Sequence, residues 1–230
     1  MKHSGKASRA ALRILFWTLV LLLALISAGV IARFLGDVLG SVAGGLVGLW
    51  ILFGLFTLYF FRDPDAVGPT DVNAIVSPGH GTVDVIDETT EAEFMAGHCR
   101  RISIFLSVID VHVQKAPVSG RIVHFRHKLG QFLSATKSDC AEFNENVLLG
   151  LIPTDRPQEK VGLRLIAGLI ARRIIVWSEL DEVVLRSDRI SLIQFGSRCD
   201  VYLPLSTRVN VKLGDKVKGG ETILATFANG

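Results

Sequence analysis

The hydrophobic positions of this chain are concentrated in two long uncharged runs near its amino terminus, residues 14–32 and 38–61. As a helix, each run is long enough to cross a hydrocarbon layer of about 30 Å, which requires about 20 residues. Only a short linker separates the runs, so the pattern predicts a helical hairpin with both outer ends on one side of a membrane. Residues 1–62 are therefore predicted to form a membrane anchor, whose two arms either cross the bilayer or stay partly embedded in it.

Basic residues flank the outer ends of both runs. Lys2, Lys6, Arg9 and Arg13 precede the first run, and Arg62 follows the second. Because basic residues are enriched on the cytoplasmic side of membranes, this predicts a cell-membrane protein whose remaining domain faces the cytoplasm. The same side chains are suited to holding anionic lipid head groups, which are therefore predicted partners.

Glycines recur every four residues in the second run, at positions 36, 40, 44 and 48. They would form one smooth stripe along the second helix, where small residues allow two backbones to approach closely. The pattern favours packing of this stripe against the first helix of the same chain over dimerisation.

Short segments rich in valine and isoleucine alternate with turn residues over the rest of the chain. Their lengths are typical of strands, so residues 63–230 are predicted to form a mainly β domain. The stretch FFRDPDAVGPTDVNAIVSPGHG, residues 60–81, leads into this domain; it is rich in proline, glycine and aspartate and is predicted to be a linker. The segment VGLRLIAGLIARRIIVW, residues 161–177, fits either two strands or a helix, and we favour strands that break near Gly168.

Two segments share a pattern, APVSGRIVHFRHKLGQFLSA at 116–135 and LPLSTRVNVKLGDKVKGGETILATF at 203–227. Each runs strand, polar turn with glycine, strand, which resembles the half-barrel unit of biotinyl and lipoyl carrier domains. The lysine that those carriers display for modification is absent. The expected fold class is therefore mainly β, barrel-like or a sandwich with biotinyl-carrier-like half-barrels, preceded by an N-terminal two-helix membrane hairpin.

Composition narrows the chemistry further. Cys99, Cys140 and Cys199 are odd in number and have no CxxC spacing, so neither a structural disulfide nor a zinc site is expected. The formal net charge is only +3, and no basic helix with interleaved aromatic residues is present, so no nucleic-acid partner is expected. His98, His124 and His127 do not have the spacing of metal ligands, and we expect no metal.

Several motifs together resemble one enzyme family. They are YFFRDPD, SPGHGTV, DVHV, APVSG, FNEN, ARRI and, in the strand-like stretch ISLIQFGSRCDVYLP at 190–204, FGSR. Their order and spacing are similar to those of the small, membrane-associated form of phosphatidylserine decarboxylase. The resemblance covers nearly the whole chain after the first apolar run.

This resemblance implies a self-processing enzyme. The chain would be cleaved between Gly196 and Ser197, and Ser197 would become a pyruvoyl group at the new amino terminus. The resulting long β chain and short α chain would remain together as a heterodimer. The pyruvoyl carbonyl would form a Schiff base with the amine of phosphatidylserine and accept electrons as carbon dioxide departs, which gives phosphatidylethanolamine.

The resemblance also assigns roles to single residues. His112 would supply the final proton or position the substrate carboxylate. His80 stands where the family usually has aspartate; it either takes the hydroxyl proton of Ser197 itself or marks a slow or inactive self-processing reaction. The candidate head-group and phosphate contacts are Lys115, Asn144, Glu145, Arg172 and Arg198, although Asn144 and Glu145 also fit the cap of a turn.

A second reading keeps the same scaffold without the chemistry. In that reading the chain is a non-catalytic, membrane-anchored β domain that binds lipid or protein, and the histidine at position 80 is the feature that supports it. The sequence leaves homo-oligomerisation and the acyl-chain preference open.

Overall fold

A computed structural model describes residues 6–32, 37–131, 143–168, 173–194 and 196–228. The chain divides into two compact units, with the boundary between Asp63 and Pro64. The first unit is helical and the second is built from strands. Four of the residues singled out in the sequence lie outside the described residues: Lys2, Gly36, Cys140 and Arg172.

The first unit is a pair of apolar helices, α1 (Lys6–Ala32) and α2 (Asp37–Phe60). Residues Ser8–Ile31 and Gly40–Phe60 are long and apolar enough to cross a membrane, as the two uncharged runs predicted. The helices pack as an antiparallel hairpin, because Gly29 approaches Ala43 at one end and Gly54 approaches Leu15 at the other.

The glycine stripe of α2 does not face α1. A methyl group added at Gly40, Gly44 or Gly48 would meet no other described atom within 4 Å, whereas one added at Gly54 would contact Leu15 at 3.6 Å. The expected packing of this stripe against α1 is therefore wrong for its described members. The glycines that approach the other helix are Gly29, near Ala43, and Gly54, near Leu15.

In its described residues, the second unit has fourteen strands joined by turns. They are β1 (Ala74–Val76), β2 (Gly81–Glu91), β3 (Gly97–Leu106), β4 (Val113–Lys115), β5 (Gly120–Lys128), β6 (Asn146–Pro153), β7 (Val161–Ala167), β8 (Ile174–Val176), β9 (Val183–Val184), β10 (Arg189–Ile193), β11 (Ser197–Leu203), β12 (Arg208–Val209), β13 (Lys216–Val217) and β14 (Ile223–Thr226). The mainly β fold expected from the short valine-rich and isoleucine-rich segments is confirmed.

Eight of the strands form one antiparallel sheet in the order β13-β2-β3-β11-β7-β6-β5-β9, which curls into a half-barrel. Two three-stranded sheets, β1-β14-β12 and β4-β10-β8, complete the unit. Residues from all three sheets contribute to one apolar core, among them Ile104, Leu163, Ile193 and Leu224. Strand β11 is central in the large sheet, paired with β3 on one side and β7 on the other.

Two details of the strand prediction can be compared with the structure. The segment 161–177 forms β7 and β8, with the strand ending before Gly168 as favoured. The stretch 100–114 is not one strand, because β3 ends at Leu106 and β4 begins at Val113. Asp110 lies in the intervening turn, where its carboxylate accepts a hydrogen bond from the Ser107 amide at 2.8 Å.

The linker after the helices lies against the β unit. The Arg186 guanidinium donates hydrogen bonds to the carbonyl oxygens of Asp71 and Pro69, both at 2.5 Å. Nearer the helices, the Asp65 carboxylate pairs with the buried Arg189 at 2.7 Å. The hydrogen bond from Arg189, together with its positive charge, lowers the pKa of Asp65 below its usual value. Residues 65–71 are thus fixed to the β unit at several points.

Candidate active site

The Gly196–Ser197 peptide bond lies where β11 begins, and both backbone polar groups of Gly196 are hydrogen-bonded. Its N–H donates to Nε2 of His112 at 3.1 Å. Its carbonyl oxygen accepts a hydrogen bond from the Gly168 N–H at 3.1 Å. The carbonyl that self-cleavage would attack is therefore held by the residue that follows β7.

Gly196 is required for its backbone conformation rather than for space. Its φ of 76° lies in the left-handed region, where residues with a side chain are strained. A Cβ added there would meet only Val108, at an ordinary contact distance of 3.8 Å. The carbonyl of Gly196 continues the pairing of β11 with β7, while its N–H points instead to the His112 ring. A left-handed residue permits this break in the ladder.

The two ring nitrogens of His112 have partners that fix its protonation. Nδ1 lies 2.8 Å from the carbonyl oxygen of Asp110, which can only accept, so Nδ1 carries the proton. Nε2 is then the acceptor for the N–H of Gly196. The ring is buried, lies in the turn between β3 and β4, and is held as one neutral tautomer.

Ser197 is the first residue of β11, and its side chain is fully buried. Its neighbours across the sheet are Leu106 on β3 and Ala167 on β7. Within the described part of the chain, its Oγ has no hydrogen-bond partner. A buried unpaired hydroxyl costs about 1–3 kcal/mol, so such groups require an explanation.

His80 is not hydrogen-bonded to Ser197 in this structure. Its Nδ1 accepts a hydrogen bond from the N–H of Gly219 at 3.2 Å, on the turn after β13. Gly219 lies close to the ring, because a Cβ added there would be 3.1 Å from Nδ1. The neutral ring therefore carries its proton on Nε2, and the structure does not place a basic nitrogen of His80 on the serine hydroxyl.

Asn144 and Glu145 immediately precede β6 and contact the end of β7. The Asn144 side chain is fully buried and donates from Nδ2 to the carbonyl oxygen of Ala167 at 2.7 Å. The Glu145 carbonyl accepts from the Ala167 N–H at 3.0 Å, and its carboxylate pairs with His127 at 2.9 Å. Both residues thus contact the end of β7, beside the candidate cleavage site.

Lys115 and Arg198 are buried and have partners inside the protein. Lys115 donates from Nζ to the carbonyl oxygen of Pro64 at 3.4 Å. The Arg198 side chain, only 2% exposed, forms an ion pair with Asp84 on β2. The sequence missed Asp84, although its position between Val83 and Val85 in β2 is a signal for such a pair.

A second missed residue, Asp200, lies on the same side of β11 as Arg198. Its neighbours across the sheet are Ser103 on β3 and Arg164 on β7. Burial raises the pKa of Asp200 above its usual value, and the surrounding guanidinium groups oppose this only in part. Burial also raises the pKa of Asp84, against the opposing effect of Arg198.

In the described ranges, no three histidine, cysteine or acidic side chains come together as a metal site would require. Cys99 and Cys199 are both buried free thiols. Burial raises the pKa of each thiol, which disfavours the reactive thiolate.

Fold and site together define a mainly β protein with two apolar helices, whose candidate site is centred on one Gly–Ser peptide bond. A family model described as phosphatidylserine decarboxylase matches residues 53–225. The chain is 44% identical over 179 residues to the phosphatidylserine decarboxylase proenzyme of Desulfotalea psychrophila, covering 78% of this chain and 83% of that protein. It is 42% identical over 173 residues to the protein of the same name from Syntrophus aciditrophicus, covering 75% and 80%. The chain belongs to the phosphatidylserine decarboxylase family of enzymes.

Proposed function

We propose that this protein is a self-processing, pyruvoyl-dependent decarboxylase that converts phosphatidylserine to phosphatidylethanolamine and carbon dioxide. The observation that carries the proposal is the buried Oγ of Ser197, which is unpaired among the described residues and adjoins a carbonyl held by Gly168. The word proenzyme in the names of both relatives supports a precursor that is cleaved.

Self-cleavage begins with addition of the Ser197 Oγ to the carbonyl carbon of Gly196. The hydroxyl proton leaves to a base, the carbonyl oxygen becomes an oxyanion, and the C–N bond then breaks as the nitrogen takes up a proton. An ester between Gly196 and the side chain at 197 results. A base then takes the Cα proton of residue 197 as the Gly196 carboxylate departs from Cβ, which leaves dehydroalanine, and addition of water releases ammonia and gives the pyruvoyl group.

The two product chains are expected to stay together as a heterodimer. Strand β11, which would begin the short chain, is paired with β3 along its whole length and with β7 from Ser197 to Tyr202. Cutting one peptide bond at its start leaves the pairings of Arg198–Leu203 with β3 and of Arg198–Tyr202 with β7 in place. The ion pair between Arg198 and Asp84 further fixes the strand beside its new amino terminus.

A pyruvoyl group at position 197 supplies a carbonyl that accepts the electron pair left when carbon dioxide departs. Nε2 of His112 accepts a hydrogen bond from the N–H of Gly196, beside this position. It is therefore assigned the proton transfer to the substrate carbon or the positioning of the substrate carboxylate. The apolar helices place the enzyme at a lipid surface, and their basic outer ends favour a cytoplasmic β unit.

The test is production of the full-length protein in membranes, followed by a denaturing gel and intact mass measurement. We expect two fragments divided before residue 197, with the smaller one blocked by a pyruvoyl group, and carbon dioxide release from phosphatidylserine vesicles. Ser197→Ala should remain one chain. Ser103→Ala is the matched control, because Ser103 is also buried with an unpaired hydroxyl, yet it should be cleaved normally. A folded wild-type protein that stays whole would contradict the proposal.

One observation favours the non-catalytic reading. No proton acceptor is bonded to the Ser197 hydroxyl in the described ranges, and Nδ1 of His80 faces Gly219 instead. If the protein is non-catalytic, the wild-type chain should stay whole but still bind vesicles. His80→Asp then distinguishes the causes, because restored cleavage would identify the histidine as the defect.

A further inference from the structure

The peptide group between Ala167 and Gly168 connects two of the hydrogen bonds described above. A peptide unit is planar, and its C=O and N–H point in opposite directions. Its N–H, on Gly168, donates to the carbonyl oxygen of Gly196 at 3.1 Å. Its C=O, on Ala167, accepts from Nδ2 of Asn144 at 2.7 Å. One rigid group therefore joins Asn144 to the scissile carbonyl.

We infer that the Gly168 N–H stabilises the oxyanion formed during self-cleavage and that Asn144 is the residue that positions this donor. The inference rests on the self-cleavage proposed above. Negative charge develops on the Gly196 oxygen when the Ser197 Oγ adds, and a donor already aimed there becomes stronger as the charge grows. The Gly168 N–H therefore contacts the reacting carbonyl oxygen directly, whereas Asn144 acts on the reaction only by positioning this N–H.

Asn144 holds the donor in two ways. Its hydrogen bond fixes the direction of the planar peptide, so that the opposite N–H points at Gly196. It also withdraws electron density from the Ala167 carbonyl, which makes the N–H of the same peptide a better donor, because hydrogen bonds in a chain polarise one another.

Asn144 is itself fixed within the protein. Its side chain is fully buried, and its backbone carbonyl oxygen accepts a hydrogen bond from Nδ2 of Asn146 at 2.9 Å. The adjacent Glu145 carbonyl binds the N–H of Ala167 at 3.0 Å. Asn144 therefore faces the end of β7. A cap of an isolated turn would have no reason to bond a strand this far along the sequence.

The first test measures the rate of cleavage in full-length protein made by cell-free translation into lipid nanodiscs. Asn144→Ala should slow cleavage at least ~10-fold, less than the ~100-fold or more that follows complete loss of an oxyanion donor. Asn144→Asp should be equally slow at pH 8 and recover towards pH 5, because only the protonated carboxyl donates to Ala167. Asn210→Asp, which removes an exposed amide donor bonded to Thr226, should match wild type.

Two readouts separate positioning from a merely structural role. Each Asn144 variant is also made with Ser197→Ala, so that thermal unfolding is compared on uncut chains. We expect cleavage to be slow even in an Asn144 variant whose unfolding temperature equals that of the protein with Asn144. Hydroxylamine, which cleaves the ester, should not rescue Asn144→Ala, because the slow step precedes the ester. Rescue to the wild-type rate would place the defect in elimination and overturn the inference.

A second pair of variants tests the donor directly. Gly168→Pro deletes the N–H, and the preceding Ala167 is in a strand, the conformation that a following proline tolerates. Gly168→Ala keeps the N–H. Cleavage should be about 100-fold slower in the proline variant than in the alanine variant. Equal rates for this pair, with wild type cleaved at 196–197, would refute the inference and leave the proposed function intact; an uncut wild type would refute the function itself.

Discussion

The two faces of strand β11 differ sharply. On the inner face, Cys199, Val201 and Leu203 pack in the apolar core, and Ser197 is the one polar residue of this set. On the outer face, Arg198, Asp200 and Tyr202 alternate with them, and every one of these polar side chains is also buried. A strand that is buried on both sides thus has an apolar face and a charged one.

The comparison separates two requirements of the proposed chemistry. The inner face keeps the Ser197 hydroxyl away from water, so that water does not compete with this hydroxyl for the Gly196 carbonyl. The outer face fixes the same strand by charge, through Arg198 and Asp84, one residue beyond the bond to be cut. Ser197 and Arg198, whose ion pair fixes the strand, are therefore neighbours in sequence but lie on opposite sides of the sheet.

The largest effect is expected on the charged face. Arg198→Ala leaves the partly buried Asp84 carboxylate without its ion-pair partner, and breaking such a pair costs about 3–5 kcal/mol. Thermal unfolding of the full-length protein in detergent, with Ser197→Ala present so that all chains stay whole, measures the loss. Arg208→Ala, at an exposed position on β12, is the control and should change little. Adding Asp84→Asn to Arg198→Ala should recover part of the stability; no recovery would show that the pair is not the cause.

A somewhat smaller effect is expected on the apolar face. Leu203→Ala removes a fully buried side chain from the core and should lower the free energy of unfolding by about 2–4 kcal/mol. Leu205→Ala, two residues further on and 43% exposed, is the matched control. Because Leu203 lies at the far end of β11 from Ser197, cleavage at permissive temperature should proceed at the wild-type rate. A large loss of rate would indicate that the two ends of the strand are coupled.

The smallest effect depends on pH. Burial raises the pKa of Asp200 above 3.8, so the folded protein binds this proton more tightly than the unfolded chain. The resulting stabilisation is complete below about pH 4 and is lost as pH rises through the folded pKa. Asp200→Asn removes the dependence, so it should gain about 1–2 kcal/mol relative to wild type between pH 4 and pH 8. Unfolding temperatures across this range test the sign, with Asp155→Asn, at an exposed position, as control. An advantage of Asp200→Asn over wild type that grew as the pH was lowered would contradict this sign.

Local patterns predicted most elements of this fold because each depends on neighbours in sequence, although the stretch 100–114 is divided into β3 and β4 and the predicted linker contains β1. Uncharged runs specify helices long enough for a membrane, and short valine-rich and isoleucine-rich segments specify strands. The break at Gly168 was also visible, although its use as a hydrogen-bond donor to Gly196 was not. That contact joins the ends of two strands, and nothing in either segment alone indicates which other strand it will meet.

Candidate residues were harder to assign from sequence. Lys115 and Arg198 have the charge that a phosphate contact needs, but the fold buries both and gives them partners in Pro64 and Asp84. Asn144 has the side chain of a turn cap or a head-group ligand, whereas it bonds the end of β7. Side-chain type indicates which bonds a residue can make, and only packing determines which of them it does make.

The sequence by itself determined two apolar helices, a β unit and a Gly–Ser peptide in a family-specific setting, because hydropathy period and residue type are properties of short segments. Only the tertiary structure decided that the N–H of Gly196 meets His112, that its carbonyl meets Gly168, and that His80 faces Gly219. These contacts join segments far apart along the chain, so their geometry follows from how the sheets pair and pack.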